Sequence, residues 1–306
     1  MLLSYLTSLP GALCLALIWS LMAIGVFITY KVLDIADLTV DGSFATGGIV
    51  CALVIANHGN FVLGLLLGFI AGLLCGLVTG LLHTLLGIPA ILAGILTQLA
   101  LWSVNLLITG GKANIAVGRV ATLISQRNVY NSLWILALIV AAIIGILYIF
   151  FGTKFGASIR ATGNNPHMSK AQGINVKFNI VVGLMISNGL VALSGALLTQ
   201  YQGYADISMG KGAIVIGLCA VVIGTAIFSK VSPNFLVRLS SVIAGSIIYW
   251  FVYQTVIFLG LKPDLLKMLA AIIVAIFLGV PYLRKTLVPR YKKWKKNREL
   301  LKGESS

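Results

Sequence analysis

Seven stretches of this sequence are apolar for eighteen residues or more, at positions 12–30, 61–82, 89–107, 133–151, 179–198, 235–259 and 265–282. A helix of roughly 20 mostly apolar residues crosses the hydrocarbon core of a bilayer, so each run predicts a membrane-spanning helix. Two shorter runs, 44–56 and 213–228, follow segments rich in Asp, Gly, Ser and Thr and predict helices interrupted near one end. The expected fold is an all-α polytopic membrane protein with about nine spans, eight to ten allowing for the ends. Composition agrees: 59% of residues are hydrophobic and 9% charged, against about 25% charged in soluble domains. That balance excludes a water-soluble enzyme.

The formal net charge of +15 would suit a nucleic-acid binder, but its placement argues otherwise. Nine of the 22 Lys and Arg, and two of the seven Asp and Glu, fall in a basic tail over 284–306. The others are scattered between apolar runs of a membrane domain over 1–283, and no nucleic-acid partner is expected. Lys and Arg gather in short cytoplasmic loops, which places the tail in the cytoplasm. Counting back through nine spans puts the 152–178 loop there too, with Lys154, Arg160, Lys170 and Lys177, together with the 229–234 link and Lys230. The N-terminus then lies outside, and residues 1–30 carry no Lys or Arg. The 109–132 loop, with Lys112, Arg119 and Arg127, is an exception to the rule. No charged segment precedes the first run, which reads as a retained anchor rather than a cleaved signal.

Sliding the sequence along itself gives one informative register, an ungapped offset of 169 residues. Leu21, Ala23, Ala36, Asp37 and Gly48 recur as Leu190, Ala192, Ala205, Asp206 and Gly217. The shared pattern is a long apolar span, a linker, Ala-Asp-[Leu/Ile]-[Thr/Ser], then a short glycine-bearing span. Five predicted segments separate the two starts, an odd number, so the halves (about 12–107 and 179–282) are expected to be inverted in the membrane. Unwound backbone is tolerated at membrane depth only where it lines a cavity or is covered by protein, and matching breaks in inverted repeats point to a transport pathway. Asp37, Thr39, Asp41, Ser43, Asp206 and Ser208 are therefore candidate pathway residues. The same side chains also suit simple capping of the helix that follows. Asp34, Asp37 and Asp41, spaced three and four apart, would share one face if this segment were helical.

Gly64, Gly68, Gly72, Gly76 and Gly80 recur at every fourth position, a small-residue ridge on which another helix can pack closely. That helix belongs either to this chain or to a second copy. Cys14, Cys51, Cys75 and Cys219 all lie in apolar runs without paired ligand spacing, as buried packing thiols do. No metal site is expected. His58, His83 and His167 are scattered, with no His-Glu-x-x-His or paired acidic motif from which to assemble a catalytic centre.

In the 152–178 loop, residues 169–172 can form a short helix, with Gly163, Asn165 and Pro166 breaking the backbone before it and Gly173 after it. The pattern Gly156-x-x-x-Arg160-Ala161-x-Gly163-x-Asn165-Pro166, then Ala171-x-Gly173-Ile174, resembles the cytoplasmic loop of ABC importer permeases of the branched-chain amino-acid and ribose class. Asp37-Leu-Thr-Val-Asp-Gly-Ser43 is similar to an element of the sugar members, and Gln200-Tyr-Gln-Gly203 to the amino-acid members. The full Asp-Leu-Thr-Val-Asp-Gly-Ser-Phe wording is most similar to a subgroup associated with tryptophan or tyrosine uptake. The resemblance runs in order over residues 12–282.

This resemblance implies a permease subunit in a bacterial cell membrane that works as one of two copies, expected to form a homodimer. It implies a cytoplasmic nucleotide-binding ATPase subunit and an extracytoplasmic binding lipoprotein or periplasmic protein as partners, besides the lipid bilayer. ATP and Mg would be used by the ATPase, with no cofactor bound here. Consistently, Gly110-Gly111-Lys112-Ala113 lacks the spacing and hydroxyl of a phosphate-binding loop. The loop over 163–173 would couple ATPase closure to the membrane halves. An ion-coupled secondary transporter is the alternative from another class, with Asp37, Asp41 or Asp206 as the cation site. A weakly charged route with Tyr201, Tyr204, Trp250 and Tyr253 suits an aromatic amino acid, a nucleoside or a sugar.

Overall fold

Polar caps and left-handed glycines mark where several of the helices begin and end. Asn60 accepts from the amides of Val62 (3.0 Å) and Leu63 (3.1 Å) to open one helix, and Asn175 accepts from Phe178 (3.1 Å) to open another. Gly59 and Gly203, with φ of 66° and 83°, end helices in the left-handed region that favours glycine. The computed structural model describes residues 2–117, 122–228 and 234–260, and the isolated positions Met268, Ala271, Ile272 and Ala275. The last predicted span (265–282, those positions apart), the tail and residues 229–233 of the predicted link lie outside them.

In chain order the elements are α1 (Leu2–Phe27), continued by a π-helical turn (Ile28–Val32), α2 (Val40–His58), α3 (Phe61–Thr84), α4 (Ala90–Ile108) and β1 (Asn114–Ala116). There follow α5 (Val129–Gly152), α6 (Lys154–Asn164), α7 (Pro166–Ala171), α8 (Val176–Gln202), β2 (Tyr204–Asp206), α9 (Ala213–Phe228) and α10 (Phe235–Phe258). Seven described helices are long and apolar enough to cross a membrane, and α9 is a shorter apolar helix. Eight of the nine predicted runs are thus helices, and the count of nine is not reached within the described residues. α1, α2 and α8 are largely buried, whereas α5 turns side chains such as Trp134 (75% exposed) outward, as a lipid-facing helix does.

Two bonds between α1 and α8 follow the repeat. Ser187 Oγ on α8 donates to the Gly25 carbonyl on α1 at 2.7 Å, and Ser194 Oγ donates to the Ile18 carbonyl at 2.6 Å. Ser187 stands 169 residues after Ile18, and Ser194 stands 169 after Gly25. The offset that aligns the sequence therefore exchanges the two bonds: residue i meets j, and the counterpart of i meets the counterpart of j, as a two-fold axis requires. The two helices run antiparallel, so the axis lies across them and turns one half over. α2 packs along the second half of α8, with Gly47 against the Ala192 carbonyl and Gly195 against that of Phe44. In the other half, α9 packs along the second half of α1, where Gly217 faces Met22 and Val26. At one end of the bundle β1 and β2 pair antiparallel, Ile115 opposite Ala205.

The glycine ridge of α3 lies against helices of the same chain. A Cβ on Gly68 would stand 3.0 Å from the Gly47 carbonyl of α2, while Gly72 and Gly76 abut the Asn188 and Leu184 carbonyls of α8. Gly64 faces Cys51 of α2, and Gly80 faces Val181 of α8. Asp34, Asp37 and Asp41 do not share a helical face: residues 33–39 are not helical, and Asp34 has φ of 56°. The π-turn ends α1 before that periodicity can continue.

Gly76→Val should wedge α3 from α8 and cost about 1–3 kcal/mol, as overpacking does. Gly145→Val on α5, where a Cβ meets nothing within 4 Å, should leave the thermal unfolding midpoint of the purified protein nearly unchanged.

Candidate functional site

The Ala-Asp-x-[Thr/Ser] repeat builds the same turn twice. The Thr39 amide donates to Asp37 Oδ1 at 2.9 Å, and the Ser208 amide donates to Asp206 Oδ1 at 2.6 Å, so each aspartate closes a turn over the residue two positions on. Their surroundings differ. Asp37 is 3% exposed and its Oδ2 accepts from Asn188 Nδ2 at 2.7 Å. Ser43 Oγ donates to Asn188 Oδ1 at 2.7 Å, so one amide side chain on α8 joins Asp37 to the first turn of α2. Thr39 and Thr79 hydroxyls meet at 2.7 Å, and Thr79 donates to Thr97 at 3.0 Å, bringing in α3 and α4.

Asn188 is the thirteenth residue of the 27-residue α8, a helix about 40 Å long at 1.5 Å per residue. α2 therefore starts beside the middle of α8. α9 starts nearby, because Asp41 on the first turn of α2 accepts from the amides of Gly212 (2.8 Å) and Ile214 (2.9 Å). Its carboxylate lies at two helix N-termini at once, where the peptide dipoles favour negative charge. Asp41 thus caps the other interrupted helix.

Of the six predicted pathway residues, Asp37 and Ser43 meet at Asn188, Thr39 bonds Asp37, and Asp41 shares the first turn of α2 with Ser43. Asp206 and Ser208 do not join them. Asp206 sits on β2 opposite Asn114, at the end of the bundle, and accepts also from the Ser208 hydroxyl. Beside the start of α2, Phe44 stacks on Trp19 with centroids 5.0 Å apart, Trp19 lies 5.9 Å from Trp250, and Trp250 lies 4.7 Å from Tyr253. Trp250 Nε1 is buried without a hydrogen-bond partner among the described residues. Tyr201 is buried next to α1, and Tyr204 on β2 is exposed.

The loop between α5 and α8 contains two helices rather than the single one over 169–172 that the sequence predicts. α7 starts earlier, at Pro166, because Asn165 accepts from the Met168 amide at 3.0 Å and proline suits the first helical position. It ends before Gly173, whose φ is 79°. Gly163 does not break the chain: it lies inside α6, where only a hydrogen fits against the Val32 carbonyl. Gly156 meets the Phe150 carbonyl in the same way. Gly156, Ile159 and Thr162 are the buried face of α6, while Arg160 and Asn165 are exposed and Ala161 is half-buried. α6 is tied to α8 by Asn179 Nδ2, which donates to Ser158 Oγ (3.1 Å) and Thr162 Oγ1 (2.9 Å). α7 stands out from the bundle with Met168 59% exposed and only Ser169 buried. Ala171 is exposed, and Ile174 is half-buried with its amide bonded to the Ser169 carbonyl at 3.0 Å.

Sequence reading passed over Asn188, Thr79, Thr97 and Asn179. Their one visible signal was polarity inside or beside an apolar run, where an unpaired hydrogen-bonding group is costly.

An inverted repeat with two helices starting inside the bundle, and a short capped helix standing out beside one end, is the architecture of a multi-pass membrane permease. The chain belongs to the family described as branched-chain amino acid transport system / permease component, which matches residues 8–278. It is 36% identical to the tyrosine transport system permease protein of Clostridioides difficile over 276 residues, 89% of this chain and 90% of that protein. It is 35% identical to the uncharacterized protein RP368 of Rickettsia prowazekii, over 84% of this chain and 92% of that one. The galactose/methyl galactoside import permease protein MglC of Salmonella typhimurium is 30% identical over 128 residues, 42% of this chain and 36% of that protein. No solved structure matches the chain. The chain is thus the permease component of an ABC-type transport system, as its loop pattern implies.

Asp41→Ala removes both acceptors from the first turn of α9 and should cost about 1–2 kcal/mol, the range for a lost cap, read as a lower unfolding midpoint. Asp37→Ala and Asn188→Ala should be non-additive by about 0.5–3 kcal/mol in a double-mutant cycle; additivity would mean that their bond contributes nothing.

Proposed function

We propose that the chain is the membrane-spanning subunit of an ATP-driven, binding-protein-dependent importer, and that its cargo is an amino acid with an aromatic side chain. The observation that carries the cargo is 36% identity to a tyrosine transport system permease protein, over 89% of this chain and 90% of that protein. The rings of Trp19, Phe44, Trp250 and Tyr253 beside the start of α2 are consistent with an aromatic solute. Two copies form the channel in a bacterial cell membrane, with the C-terminal tail in the cytoplasm. A lipoprotein or periplasmic binding protein delivers the cargo, and a cytoplasmic ATPase subunit uses ATP and Mg while this chain binds no cofactor.

In this reading α7, with its boundaries at Asn165, Pro166, Ala171, Gly173 and Ile174, enters a cleft on the ATPase. α6, through Gly156, Arg160, Ala161 and Gly163, carries the push to the bundle. It bears on the π-turn of α1 through Gly163 and on the start of α8 through Asn179, so both halves receive it. The π-turn leads within a few residues to Asp37 and Thr39, and Asp41 and Ser43 follow on α2. These four, with Asp206 and Ser208 at the far end, are the proposed route.

Similarity to a sugar permease over part of the chain favours sugar as the second reading of the cargo. A thermal-shift screen of the cognate binding protein separates the two: tyrosine or tryptophan should raise its midpoint and galactose should not, and the reverse result replaces the aromatic cargo. Substituting exposed positions of α7 should lower cargo-stimulated ATPase activity of the assembled transporter at least about tenfold, roughly 1.4 kcal/mol on the activation barrier, while the permease reaches the membrane at normal levels. Normal uptake by such a variant without any ATPase subunit would establish a secondary carrier instead.

A further inference from the structure

The end of the bundle that carries α6 holds a cavity of about 730 Å³ between the last turn of α1, α6, the end of α9 and the start of α10. Lys31, Arg160 and Arg238 line it, with Asp34 as the one acid among the described lining residues, an excess there of two positive charges. None of the three cations makes an ion pair with a described residue. Two are held over aromatic rings: Lys31 Nζ lies 4.8 Å from the Tyr30 centroid, and Arg160 Cζ lies 5.6 Å from that of Phe235. A guanidinium stacked on a ring keeps its N–H edge available for an oxyanion.

A second cavity, of about 560 Å³, shares Arg160 and Phe235 with the first and continues past Gly152 to Tyr148 and Ile149. Ile149 is 71% exposed on the outer face of α5, so this cavity leads sideways toward lipid. The level is equally telling. Val32 ends one candidate span, Phe235 begins another and Phe228 ends α9, so the cations stand where the apolar spans stop and phosphate headgroups lie. Basic pockets between membrane helices at that level take acidic headgroups.

We infer that the two cavities together bind one anionic glycerophospholipid. Its phosphodiester sits among Lys31, Arg160 and Arg238, and the start of an acyl chain runs through the smaller cavity onto α5. A soluble phosphate would be served by the first cavity alone and would have no use for the lateral one.

The test uses the full chain purified in neutral detergent, with lipid retention read by native mass spectrometry. Phosphatidylglycerol should be retained about tenfold more strongly than phosphatidylcholine, a difference of about 1.4 kcal/mol. In K31Q/R238Q that preference should fall to about twofold or less, and in D34N, which removes the one acid among the described lining residues, it should rise about threefold, on the same conversion. A gain in D34N cannot arise from misfolding. Equal retention of the two lipids by the wild-type chain, an unchanged preference in K31Q/R238Q, or no gain in D34N would each overturn the site. Displacement of phosphatidylglycerol by inorganic phosphate at matched concentration would overturn the lipid and leave a soluble-anion site.

Discussion

A helix that starts inside an apolar bundle strands amide groups that neither lipid nor the preceding turn can satisfy, and two helices here do so. Asp41 meets this constraint for α9 by giving one carboxylate oxygen to Gly212 and the other to Ile214. Because Asp41 itself belongs to the first turn of α2, satisfying one helix start fixes the other beside it. The glycines around this junction follow from the same demand: Gly210 abuts the Asp41 backbone and Gly195 that of Phe44, with no room for a Cβ. Close backbone approach and polar satisfaction are here one requirement.

The two halves share a plan without sharing surroundings. Asp37 and Asp206 close identical turns, yet one is sealed in the bundle and the other lies at its end. The position 169 residues before Asn188 is Trp19. Both counterparts reach the start of α2, Asn188 through Ser43 and Trp19 through Phe44. One supplies hydrogen bonds and the other a ring, so the repeat has become polar on one side of that helix and aromatic on the other. Such divergence explains why so few residues still match at this offset while the backbone symmetry survives in the bonds of Ser187 and Ser194.

Most of the fold was legible in the apolar runs because span length is set by bilayer thickness, a constraint that acts on composition alone. The first run begins at residue 12 in the sequence but its helix begins at Leu2, since Thr7, Ser8 and Pro10 dilute the pattern without stopping the helix. α6 was missed for a different reason. Gly163 read as a breaker by propensity, yet it and Gly156 are helical and small so that α6 can lie on the ends of α5 and α1; tertiary packing overrode local preference. At the candidate site the repeat drew attention to Asp37 and Thr39, and the structure places both, with Ser43, in one hydrogen-bonded cluster. The repeat gave no hint of Asn188, because a lone polar residue in an apolar run does not say which distant side chain it faces.

The Asp37–Asn188 bond also carries a clock. The two residues are 151 positions apart, and at synthesis rates of about 5–20 residues per second Asn188 is made roughly 8–30 s after Asp37. Through that interval Asp37, Ser43 and the exposed glycine face of α3 are already made, and the helix that covers them is not. Asp37 and Ser43 therefore gain their bonds to Asn188 only once α8 has been made.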